Sequence, residues 1–110
     1  MSTVLWMPSA VADLQDIQEY ISKDSVFYAN KFVDDAFAAT EMLEIFPEIG
    51  RVVPELGIEM VREIFHGSYR IIYELFNDKA HVIAVVHGKR PLPDISRSSH
   101  VDSIDIDHVP

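Results

Sequence analysis

Apolar residues recur along the chain with two different periods, and the change of period divides it into a helical half and a stranded half. Thr3-Val4-Leu5-Trp6-Met7 predicts a short strand, which Pro8 ends because proline cannot continue the ladder. Ala10, Leu14, Ile17 and Ile21 then return at helical spacing, with Asp13, Asp16 and Glu19 on other faces. Ser9 precedes that stripe as a candidate N-cap. Lys23-Asp24-Ser25 reads as a tight turn. Beyond it, Ala29, Phe32, Ala36, Ala39, Leu43 and Phe46 form a second stripe, widened by Val33 and Phe37, which predicts a helix from about Val26 to Phe46. So short a turn makes the two helices antiparallel neighbours, and the alanines let them approach closely. Pro47 stops the second helix, and Gly50 can supply a positive φ in the turn after it. Arg51 to Glu59, with Pro54 and Gly57, reads as an ordered loop.

Three strands are predicted next: Val61 to His66, Tyr69 to Phe76, and His81 to His87, the last a β-branched run that reads as central and buried. Gly67-Ser68 is a two-residue hairpin signal with glycine first, as a type II′ turn requires. Asn77-Asp78-Lys79 makes the following turn, and Gly88-Lys89-Arg90-Pro91 ends the third strand. With Gly67-Ser68 as the loop, the register follows: His66 faces Tyr69, Phe65 faces Arg70, Ile64 faces Ile71, and Arg62 faces Tyr73. One sheet face then carries Arg62, Ile64, His66, Tyr69, Ile71 and Tyr73. The other carries Val61, Glu63, Phe65, Arg70, Ile72 and Glu74. Glu63 and Arg70 become diagonal neighbours, close enough to pair. The predicted fold class is α+β: an N-terminal strand, an αα-hairpin, then a three-stranded antiparallel meander, with the helices packed on one twisted sheet. Residues 1–93 read as the folded domain and 94–110 as an acidic C-terminal tail or partner segment.

Composition agrees with one globular domain. Of 110 residues, 48% are hydrophobic and 25% charged, and a chain of this length buries roughly 65% of its unfolded surface. There is no cysteine, hence no disulfide framework, thiolate zinc site or cysteine nucleophile. No apolar run is long enough for a membrane span, and no signal peptide is evident at the start, so a cytoplasmic protein is expected. Net charge changes the picture more. The chain carries −9; Asp94, Asp102, Asp105 and Asp107 against Arg97 account for −3, leaving −6 for residues 1–93. A field of that sign repels phosphates, so free nucleic acid is not expected as a main ligand.

The side chains able to do chemistry each have a structural alternative. Arg70 can pair with Glu63 or Glu74, and Arg62 can pin the Arg51–Glu59 loop to the sheet. Tyr69 and Tyr73 suit a core or sheet surface. His87, beside Lys89 and Arg90, suits a general acid or base or a cap on the strand end. The five histidines show no ligand spacing for zinc, and neither a metal nor a cofactor is expected.

Four short motifs sit in order on this frame: Trp6-Met7-Pro8-Ser9-Ala10 with Asp13-Leu14, Pro47-Glu48-Ile49-Gly50-Arg51, Tyr69-Arg70-Ile71-Ile72-Tyr73, and Val86-His87-Gly88-Lys89-Arg90. Together they resemble the RelE/ParE family of toxins from bacterial toxin–antitoxin operons, over about residues 3–93. The resemblance implies a small α+β domain wrapped by a cognate, ParD-like antitoxin, with a heterotetramer as one possible assembly. It also implies one of two activities. RelE-type members cleave mRNA on the ribosome, using basic residues along the strand before Tyr-Arg and a tyrosine after Gly-Lys-Arg. Here the positions seven and nine before Arg70 are Glu63 and Val61, and no tyrosine follows Tyr73. ParE-type members poison DNA gyrase by binding it, which needs no catalytic constellation and suits an acidic chain.

The leading expectation is therefore a ParE-like toxin, with Arg62, Tyr73, His87, Lys89 and Arg90 as partner-contact candidates. A RelE-like endonuclease using Arg70, His87 and Arg90 is the first alternative, and a non-toxic member that binds antitoxin and autoregulates its operon is the second. No periodic apolar face joins residues 94–110 to the core. Truncation after Pro93 is expected to leave the melting temperature of the domain unchanged, and a large drop would contradict the proposed boundary.

Overall fold

In a computed structural model, which describes residues 2–89, two helices pack on one face of a five-stranded sheet. The elements are β1 (Thr3–Trp6), α1 (Pro8–Ser22), α2 (Val26–Glu41), a 3₁₀ turn at Met42–Glu44, β2 (Arg51–Val52), β3 (Val61–His66), β4 (Tyr69–Phe76) and β5 (Lys79–His87). The sheet order is β1-β5-β4-β3-β2. The meander β3-β4-β5 is antiparallel, and β1 joins its far side parallel to β5, from Thr3 opposite Lys79 to Trp6 opposite Val82. This pairing makes β5 internal, and every residue from Ala80 to Val86 is buried. The predicted hairpin register holds at each pair from His66–Tyr69 to Arg62–Tyr73. Residues 90–110, and with them the predicted acidic tail, lie outside the described residues.

Local chemistry explains where the elements differ from expectation. Pro8 opens α1 instead of merely ending β1. A proline at the first helical position gives up only an N–H that has no helical partner there, and extended Met7 occupies the N-cap. The hydroxyl of Ser9 is thereby released to donate to the carbonyl of Ile83, at 2.8 Å. That carbonyl sits at a bulge: Ile72 faces Ala84 and Tyr73 faces Val82, so Ile83 is the extra residue. Ile83 and Ala84 consequently both join the smaller core, on the face away from the helices. The second helix ends at Glu41 and tightens into the 3₁₀ turn, which still buries Leu43. Val52 and Arg51, expected in a loop, pair with Arg62 and Glu63 as a two-residue edge strand.

The turn after the helices is organised by Tyr73. Its ring has no exposed surface, and its hydroxyl donates to the carbonyl of Pro47 (2.8 Å) while accepting from the N–H of Gly50 (2.9 Å). Burial raises the phenol's pKa, and the Gly50 N–H partly offsets it. Gly50 does not take the positive φ suggested for it; Gly57 and Gly67 do, as do Asn77 and Asp78 in the β4–β5 turn. Glycine is required at 50 for space, since a Cβ there would lie 2.6 Å from the Glu63 carbonyl and the Tyr73 hydroxyl. Overpacking such a site costs about 1–3 kcal/mol. Gly50→Ala should lower urea-unfolding stability by that amount, and Tyr73→Phe, which strands the Gly50 N–H, by about 1–3 kcal/mol; a loss within measurement error for both would contradict this packing.

Candidate functional site

On the sheet face away from the helices, Arg51, Glu63 and Arg70 form a chain of ion pairs that ends on Glu55. The side chain of Glu63, on β3, is fully buried and accepts from Arg51 Nε and from Arg70 Nε, each at 2.6 Å. Arg70, on β4, then reaches Glu55 in the loop before β3 with both terminal nitrogens, at 2.7 and 2.8 Å. Such a bidentate fork is the strong form of a charge-assisted hydrogen bond. Arg51 completes the series with its guanidinium 5.0 Å from the Phe65 ring centroid. The Arg70 residue is 4% exposed, and Nε, Nη1 and Nη2 all donate to carboxylates. The Glu55 carboxylate, then that of Glu63, raises the Arg70 pKa against the opposing effect of burial. Arg70 in turn holds the Glu55 carboxyl down at about 2.

The expected Glu63–Arg70 pair is thus present. Glu55 completes it in the place considered for Glu74. No periodicity marks Glu55, because it sits in an irregular turn where Leu56 and Gly57 donate to the Val53 carbonyl.

His87 is on the opposite side of the sheet. Tyr69 and His87 are paired on the helix-facing side, their rings edge to face at 5.4 Å, whereas Arg70 pairs with Val86 on the other. The half-buried imidazole accepts from the Lys89 N–H through Nδ1 at 3.3 Å, the strand-end cap anticipated for it. It lines a cleft of about 400 Å³ with Asp13, Asp16, Ile17 and Tyr20 of α1 and with Tyr69, Val85 and Val86. Asp13 accepts from the Val85 N–H at 3.0 Å. Among the described residues this lining holds two carboxylates and no cation, a surface that repels a phosphodiester.

The remaining candidates separate clearly. Lys89 is exposed. Arg62 donates to the carbonyls of Gly50 (3.0 Å) and Glu48 (3.4 Å), so it pins the turn before β2 and not the Arg51–Glu59 loop. Tyr73 is enclosed and offers a partner no surface, which removes it from the contact candidates. Arg90 lies outside the described residues. Of the nuclease candidates, the two described residues are not brought together: Arg70 is locked by carboxylates and separated from His87 by the sheet itself. Among the described residues, no three His, Asp or Glu side chains converge to hold a metal, and no helix is long and apolar enough to cross a membrane.

These features define a small α+β domain whose sheet arginines serve its structure. Residues 4–92 match the family described as "ParE toxin of type II toxin-antitoxin system, parDE", and the chain belongs to that family. Its fold is similar to that of a chain from a solved structure described as "Chromosomal ParDE TA system from P. aeruginosa", with a TM-score of 0.66 and 19% identity over 79% of this chain and 96% of that one. A search of curated proteins gave no significant match.

The ion-pair chain predicts an asymmetric mutational response. Removing one partner of a buried pair costs about 3–5 kcal/mol, so Arg70→Ala should destabilise by that amount. Arg51→Ala removes an exposed guanidinium but leaves one oxygen of the buried Glu63 carboxylate without its partner, so it should cost less than Arg70→Ala, about 1–3 kcal/mol. A pH dependence also follows. The folded pKa of Glu55 is lowered from 4.5 to about 2, so its contribution is present above pH 4.5 and is lost as pH falls through about 2. In Glu55→Gln the fall in melting temperature between pH 4.5 and 2 should be shallower than in the wild type; parallel curves would contradict the fork.

Proposed function

We propose that this protein is a toxin that a ParD-like antitoxin neutralises and that disables DNA gyrase by binding it. The observation that carries the reading is the engagement of Arg70 by Glu63 and Glu55. Cleavage of RNA needs a base at the 2′-hydroxyl and cations at the developing phosphorane charge. Arg51 and Arg70 are bound to carboxylates and Arg62 to backbone carbonyls, and His87 shares its cleft with aspartates. A protein surface requires none of that constellation. Family membership supports the toxin reading, and the likeness to a chain of a solved ParDE system supports an antitoxin of the ParD kind.

Within this reading, His87 and Lys89 at the end of β5 contribute partner contacts, while Arg62 serves the fold by holding the Pro47–Gly50 turn. The test uses two assays on the purified protein. DNA supercoiling by gyrase should be inhibited, and inhibition should vanish when a ParD-type antitoxin is added. Messenger RNA on translating ribosomes should stay intact. Lys89→Glu should weaken inhibition about tenfold, the scale of a single interface anchor. Codon-position cleavage with unimpaired supercoiling would replace this proposal with the nuclease. Healthy cells on expression of the lone gene would replace it with the autoregulatory role.

A further inference from the structure

The end of the sheet remote from His87 carries a surface that the toxin reading does not use. β5 runs nine residues from Lys79 to His87, about 26 Å, so its two ends can hold different partners. Around the Lys79 end, Ile45, Phe46 and Ile49 are 58%, 53% and 57% exposed, and Met60 is 45% exposed. Ile45 to Ile49 line a groove of about 510 Å³. Pro47 and Glu48 also line an adjoining groove that reaches Met60, Phe76 and Asp78, so the two are continuous. A monomeric protein seldom leaves that many large apolar side chains together in water without a partner for them.

We propose that this surface is a second docking site, for an amphipathic helix of another protein whose apolar face is flanked by lysine or arginine. Charge selects the occupant. Exposed Glu48 and Asp78 line the grooves, and exposed Glu44 and Glu59 adjoin Ile45 and Met60 in the chain, against the ammonium of Lys79. Arg62 offsets Glu48 only weakly: its Nη2 lies 4.0 Å from that exposed carboxylate, and its guanidinium is otherwise turned inward to the carbonyls of Glu48 and Gly50. A second copy would bring these carboxylates against themselves, in a chain of net charge −9, and like charges across an interface are strongly disfavoured. An anionic membrane surface is repelled for the same reason. A helix carrying aliphatic anchors at i, i+3, i+4 and i+7 fits an apolar groove, and flanking cations answer the acidic border.

The experiment uses the full chain and a synthetic helix of about 18 residues, long enough to hold its fold when bound. The probe carries leucines at i, i+3, i+4 and i+7 with lysines on either side; its twin has glutamate at every lysine. Anisotropy titration should show the lysine probe binding about tenfold more tightly at low salt, with the gap closing as salt rises. Methyl chemical shifts of Ile45 and Ile49 should move in the wild-type protein. Ile49→Lys should abolish binding, and Glu44→Lys with Glu48→Lys should reverse the preference between twins. All three positions are exposed, so the variants should keep the wild-type melting temperature. The proposal is overturned by no binding, by equal affinity for both twins, or by methyl shifts that fall elsewhere. Self-association in sedimentation velocity that Ile49→Lys removes would also overturn it, assigning the surface to a second copy.

Discussion

The carboxylate of Glu63 is withdrawn from water and held between two guanidiniums, each 2.6 Å away. An isolated buried carboxylate would be prohibitive, and a single cation would leave its second oxygen without a partner. Arg51 on the edge strand and Arg70 on β4 supply both partners, so the one acid fastens three strands, β2, β3 and β4. Arg70 then extends the tie to Glu55 and secures the loop that lies between β2 and β3. The short β2, only two residues long, has little backbone pairing of its own and depends on this side-chain anchor.

That architecture has a functional consequence. An arginine whose donors end on carboxylates has nothing to offer a phosphate, and strand alternation sends His87 to the other face. The acidic composition is therefore more than a global average. It is expressed locally, as a carboxylate for each buried cation of the network and as aspartates around the histidine. The proposed action through protein contact makes no demand for free cations, and the two ends of β5 present distinct chemistries: polar and aromatic at His87, apolar and acidic at Lys79.

Much of the fold is legible in the sequence because it rests on periodicity. The alanine-rich stripes specify the helical hairpin, and the glycine at 67 specifies a register that puts Glu63 beside Arg70. What periodicity does not reach is non-local or irregular. The parallel docking of β1 on β5 joins the two ends of the domain, and no local pattern encodes it. The bulge at Ile83 is invisible in a run where every residue is apolar. Glu55 lies in a turn with no repeat, so the fork that occupies Arg70 leaves no trace in the spacing, although a structural role for the arginine does. Tyr73 suits a surface or a core by residue type alone; its 0% exposure follows from a hydroxyl that replaces water for Pro47 and Gly50. Charge arithmetic identifies the sign of the surface but not which carboxylates are committed inward.

A concerted substitution separates an arginine network that is architecture from one that is machinery. Replacing a complete buried ion network by apolar or neutral groups of similar volume is often neutral for stability. A variant with Glu55→Gln, Glu63→Leu and Arg70→Met removes the network's central charges together. Measured in the gyrase supercoiling assay, this folded variant should inhibit as the wild-type protein does. A variant that retains the wild-type fold and antitoxin affinity yet has lost its activity would show that Arg70 acts on the target directly, and would contradict the account.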